Sequence, residues 1–139
     1  MPLLQQLDTT TQMLQKVLDL RAKNQQVIGS NIANAETPGY AAKSLEFEDQ
    51  LKGAMSVSGS QTAPVTTHPK HIPLQSNNLA QIEGTLTTKT DNKGIGDENS
   101  VSVDQEMVKL SENQILYETA ATMLKKKLSL LKYTINGGS

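Results

Sequence analysis

Apolar residues gather at the two ends of this 139-residue chain and thin out between them. From about Leu3 to Ala35, Leu7, Leu14, Leu18, Ile28 and Ile32 fall on one helical face when steps of four and three are counted. Thr11, Arg21 and Gln25 are the polar members of that row. The pattern predicts an amphipathic helix about 50 Å long at 1.5 Å per residue. The C-terminal row is cleaner: Val103, Met107, Leu110, Gln114, Tyr117, Ala121, Leu124, Leu128, Leu131 and Ile135 lie alternately four and three apart, and only Gln114 interrupts the apolar seam. Ser102 with Gln105 three residues on has the spacing of a capping box, and Asn136-Gly137-Gly138 supplies a stop.

The N-terminal pattern ends at Pro38-Gly39. Pro38 suits the first central position of a β-turn and Gly39 the second, where a type II turn requires positive φ. Pro38 also biases Thr37 out of the α region, so the first helix is expected to end near Ala35. The stretch from Gly53 to Ser100 is rich in Ser, Thr, Asn, Gly and Pro and has no aromatic residue. Such a segment builds little core; it reads as extended or loop-rich and partly disordered in the free protein. Gly84 to Thr90 has the composition of a hairpin strand, and Asp91-Asn92-Lys93-Gly94 and Gly96-Asp97 are turn signals. The expected fold is mainly α. Long N- and C-terminal helices pack as a coiled-coil-like pair around an extended, β-like, loop-rich middle, with divisions at 1–36, 37–101 and 102–139.

Composition narrows what such a pair can be. Aromatic residues make up 3% and hydrophobic residues 36%, low for a self-sufficient core of this length. A helical hairpin leaves each side open, so two seams this long predict further contacts with other copies. The formal charge of −1 removes the general electrostatic argument for nucleic acid or anionic membrane. There are no cysteines, which excludes disulfides, thiolate metal sites and cysteine nucleophiles. The start MPLLQQLDTTTQML has no basic region followed by an apolar run, so export, if it occurs, is expected without a cleaved signal peptide.

Candidate chemistry adds little. His68 and His71 have helical metal-ligand spacing, but Pro69 and Pro73 disfavour a helix and no third ligand is indicated. Lys125-Lys126-Lys127 lies toward a helix C-terminus, where cations favour the helix dipole. Glu46, Glu48 and Asp49 are paired with no histidine or nucleophile and read as a solvated face. Gly94-Ile95-Gly96 lacks the following glycine of a dinucleotide loop. No enzyme, cofactor, metal or small-molecule substrate is expected.

Four strings carry a resemblance. Asn31-Ile32-Ala33-Asn34-Ala35-Glu36-Thr37-Pro38-Gly39-Tyr40 resembles the N-terminal signature of the flagellar axial proteins, the rod, hook and hook-associated components. Leu18-Asp19-Leu20-Arg21-Ala22 upstream, and Glu98 to Met107 with its core Val103-Asp104-Gln105-Glu106-Met107, resemble strings of the basal-body rod branch. His68-Pro69-Lys70-His71-Ile72 is similar to a further short string of that branch. Ser102 stands where the family pattern often has Asp; both residue types cap helices.

The resemblance implies a structural subunit of the proximal rod, exported through the flagellar type III apparatus and polymerised in the periplasmic space. Its implied partners are other copies of itself, rod proteins such as FlgC, and the export-gate and basal-body base proteins, without nucleic acid. It further implies that the first helix lies in an inner tube, with Tyr40 to Leu51 folded back outside and Leu45, Phe47 and Leu51 as anchors. The residues expected to carry assembly are Leu14, Leu18, Ile28, Asn31, Ile32, Asn34, Pro38, Gly39, Tyr40, Phe47, Met107, Leu110, Tyr117, Leu124, Leu128 and Leu131. A cytoplasmic coiled-coil adaptor or secretion chaperone is the competing reading.

Overall fold

The computed structural model describes residues 2–57, 79–89 and 101–137. Two long helices dominate it: α1, Pro2–Ala33, and α3, Val103–Ile135. Between them come strand β1, Lys43–Glu46, a ten-residue helix α2, Glu48–Val57, a 3-10 turn at Leu79–Gln81 and strand β2, Thr85–Thr88. The mainly α expectation holds, with α1 and α3 packed on each other and a small β element in the middle. His68, His71, the turn signals from Asp91 to Asp97 and Gly138 lie outside the described residues.

Helix α1 closes where the Pro-Gly signal requires. Asn34 and Ala35 continue in tight turns, and the Tyr40 N–H then donates to the Thr37 carbonyl at 3.2 Å across a turn with Gly39 at φ 72°. That dihedral is the left-handed value a type II turn demands of its second central residue. The chain reverses and runs back along α1 as β1.

Three expectations need correction. Among the described residues the Gly84–Thr90 stretch supplies a strand whose partner is distant: β2 pairs antiparallel with β1, Lys43 opposite Thr88 and Glu46 opposite Thr85, some forty residues away in sequence. The returning segment is extended only through Glu46, after which α2 begins, with Glu48 and Asp49 in its first turn, where carboxylates favour the helix dipole. Ser102 is the N-cap residue of α3, but its side chain makes no capping bond. The first α3 turn is held instead by the Ser102 carbonyl, which accepts from the Glu106 N–H at 3.0 Å.

The core is small and lies to one side of α1. Leu20, Phe47 and Ile82 are its buried members, with Leu45, Leu51, Ala54 and Leu79 packed against them. Gly84 completes it: at φ 75° its Cα faces Leu45 so closely that an added Cβ would lie 3.0 Å from Leu45 Cδ1. The single phenylalanine thus joins α1, the strand pair and the 3-10 turn.

Candidate functional site

The contact between α1 and α3 is built as much from polar as from apolar groups. Asn24 and Asn31 stand two turns apart on α1, and Glu106 and Asn113 stand equally far apart on α3. In the antiparallel pair Asn31 Nδ2 donates to Glu106 Oε2 at 2.8 Å, and Asn24 Nδ2 donates to Asn113 Oδ1 at 3.1 Å. Asn113 Nδ2 in turn reaches the Arg21 carbonyl at 2.9 Å. Ala120, one heptad beyond Asn113, continues this buried row.

Asn31, 0% exposed, is the hub. Besides Glu106, its Nδ2 donates to the Lys43 carbonyl at 2.7 Å, while its Oδ1 accepts from the Lys43 N–H at 2.9 Å and the Tyr40 hydroxyl at 3.2 Å. One amide therefore ties together helix α1, the start of β1 and the first turn of α3. The Tyr40 hydroxyl has one proton, so if that proton goes to Asn31, the 3.3 Å contact with Ser30 Oγ uses serine as donor. Asn34 fastens the helix end: its Nδ2 donates to the Ser30 carbonyl at 2.8 Å, and its Oδ1 accepts from Thr37 Oγ1 at 3.2 Å. The asparagines of the Asn31-to-Tyr40 string thus have separate duties, one across elements and one local.

Arg21 and Glu106 carry the charge. The Arg21 guanidinium sits 4.9 Å above the Phe47 ring and donates to Glu48 Oε1 at 3.1 Å, so a residue inside the apolar row covers the core and closes the start of α2. Glu106 is buried and shares its carboxylate between Asn31 and Lys109. Among the described residues no group of three His, Cys, Asp or Glu is placed to hold a metal ion.

The expected assembly residues divide by exposure. Ile28, Asn31 and Phe47 are buried, while Leu14, Leu18, Ile32, Asn34, Tyr40, Leu110, Leu124 and Leu131 are half-buried. Pro38 and Gly39 are exposed in their turn. On α3, Met107 is 56% exposed, Leu128 50% exposed, and Tyr117 is also open. The seam counted through Val103, Met107 and Leu128 is therefore not the one buried against α1. The buried row is Glu106, Asn113 and Ala120, which a count of apolar positions skips. Leu20, Asn24, Glu106 and Asn113 are the structural positions that count missed, and Arg21 it held only as a polar member of the row. Their signal was the repeat of polar residues at heptad spacing, read alongside the two strings that contain Leu20, Arg21 and Glu106.

The second half of α1 and the Pro-Gly turn that follows it, with Asn31 and Tyr40, are matched by a family model. That model, described as Flagella basal body rod protein, covers residues 18–40, from the start of the Leu18 string through Tyr40. The class this match points to is the basal body rod proteins of the flagellum. The flagellar basal body rod protein FlgB of Salmonella typhimurium is 31% identical over 140 residues, 99% of this chain and all of the relative. FlgB of Yersinia ruckeri is 34% identical over 125 residues, 88% of this chain and 90% of the relative. FlgB of Aeromonas hydrophila is 36% identical over the same length, 88% and 89% of the two chains. The chain belongs to the FlgB family, whose members are structural subunits of the flagellar rod.

Proposed function

We propose that this rod subunit polymerises through its terminal helices, above all α3, and that the resulting shaft transmits torque. The carrying observation is the surface of α3. Among the described residues it exposes eleven large apolar side chains, from Val103 to Ile135 and on several sides of the helix. Exposed apolar side chains in that number on one helix mark an interaction site. Torque applied to a shaft is best borne by many weak contacts spread along each subunit, and a helix about 50 Å long supplies them along its whole length.

The partners in this reading are other copies of the chain, other rod proteins such as FlgC, and the export-gate and basal-body base proteins. The location is the basal body in the periplasmic space, reached through the flagellar export apparatus. No helix among the described residues is long and apolar enough to cross a membrane.

The test uses substitutions that spare the subunit. Ile115 is 64% exposed and Leu130 66% exposed, so Ile115→Asp and Leu130→Asp are expected to change subunit stability by no more than about 0.5 kcal/mol. Each is expected to be secreted normally and to abolish rod assembly and swimming in a strain lacking the native protein. Normal rods from both variants would contradict the proposal.

A further inference from the structure

Helix α3 is polarised in charge. From Val103 to Glu118 it carries Asp104, Glu106, Glu112 and Glu118 against a single Lys109; from Thr119 to Ile135 it carries Lys125, Lys126, Lys127 and Lys132 and no acid. Its C-terminal half also forms one wall of an open groove. Leu18 of α1 faces Ala121, Leu124 and Leu128 across an apolar floor, and Lys125 and Lys132 stand along the rim with Ser129. The opposite edge of α3, about half a helical turn away at 100° per residue, presents Glu112 between Val108 and Leu116. Val108, Glu112 and Leu116 are exposed, and among the described residues neither Glu112 nor the two rim lysines makes an ion pair.

We infer that this groove receives the Val108–Glu112–Leu116 edge of α3 from a second, parallel copy of the chain. The inference rests on the polymerisation proposed above and adds its register. Copies that build a shaft by rotation and translation along one axis run in the same direction and meet through unlike faces. A lysine-rimmed groove on one edge and an exposed, acidic edge on the other, whose Glu112 and Leu116 also line a cavity beside β1, satisfy that condition. Like charges face each other if two copies lie level, acid beside acid and lysine beside lysine. Sliding one copy by 16 to 17 residues, about 25 Å at 1.5 Å per residue, brings Glu112 level with the middle of the Lys125–Lys132 interval. The same shift sets Val108 level with Leu124 and Leu116 level with the aliphatic stem of Lys132. Charge and apolar contacts therefore select one stagger.

The cysteine-free sequence permits a direct test. Glu112→Cys and Ser129→Cys are introduced together, and also singly into two co-expressed copies, and isolated basal bodies are oxidised. The expected result is a disulfide-linked ladder from the double variant and a dimer from the mixed single variants, with no link when Cys replaces Glu112 and Val103 instead. Rods that contain the chain but yield no 112–129 link overturn this register while leaving polymerisation standing. An adduct of the 112 or 129 variant with a different rod protein, and none with another copy, overturns the choice of occupant. Basal bodies that lack the chain overturn both readings. In parallel, Glu112→Lys alone and Lys125→Glu with Lys132→Glu are each expected to lower rod recovery at least tenfold, and the combined charge swap to restore it. A combination no better than its parents counts against the pairing.

Discussion

Helices α1 and α3 are nearly equal in length, yet their apolar residues meet different fates. From Thr9 to the end of α1 every large aliphatic side chain is buried or half-buried, whereas α3 leaves eleven large apolar side chains exposed. The difference arises from how much chain packs back on each helix. Beyond α1 the Pro-Gly turn sends β1 and Phe47 back along the same helix, and the Leu20–Phe47–Ile82 core forms against it, with Leu51 and Ala54 of α2 packed on that core. Among the described residues no such segment covers α3, whose buried side chains are confined to one row, Glu106, Asn113 and Ala120. Under the proposed function, α1 is the helix that holds the subunit together, and α3 is the helix that subunits share.

Phe47→Ala should have the largest effect on that division. It removes the ring at the centre of a three-residue core and the surface beneath Arg21, a loss of about 3 to 5 kcal/mol. Hydrogen exchange should show protection lost first in β1, β2 and the Leu20 region of α1. Protection retained there and lost only in α3 would break the comparison.

Asn31→Ala ranks next. The change strands the Lys43 N–H and carbonyl and deprives buried Glu106 of a donor, at a cost of about 2 to 4 kcal/mol. The expected signature in urea unfolding is a lower midpoint, with the Lys43 amide exchanging freely. Asn34→Ala, which loses only bonds near the helix end, should cost less, and an equal loss for both would remove Asn31 from its place as hub.

The smallest effect belongs to the turn. Replacing Pro38-Gly39 with Ala-Ala forces an L-residue into the φ 72° position and removes the fixed φ before it, costing about 1 to 2 kcal/mol. Helix α1 should extend past Ala33, secretion should persist and rod recovery should fall. Normal swimming by this double variant would show that the reversal at Tyr40 does not depend on those two residues.

The two helices and the turn were legible because they rest on local rules: periodicity, a breaker, and a residue tolerant of positive φ. The contact between the helices was not, because its buried row is Glu106, Asn113 and Ala120 facing Asn31 and Asn24, and hydrophobic periodicity passes over polar side chains that are buried with their partners. The resemblance to flagellar axial proteins did draw in Asn31 and Asn34, though without their separate partners. Pairing of β1 with β2 was hidden for another reason. Four-residue strands of Lys-Ser-Leu-Glu and Thr-Leu-Thr-Thr carry weak signals of their own, and their register is set by Leu45 and Phe47 finding the core beside α1. Helix α2 was obscured by the acidic run at its start, which reads equally as a solvated strand end.

The claim that α3 is the shared helix and α1 the internal one is tested most directly by thiol accessibility in the free subunit and in the assembled rod. Single cysteines replace Ile115 and Leu130 on α3 and the exposed Gln25 on α1, in a chain that has no cysteine of its own. All three should react with a maleimide in the secreted, unassembled subunit. In purified rods the cysteines at 115 and 130 should be protected while the one at 25 still reacts; full reactivity at 115 and 130 in the rod would contradict that division between the helices.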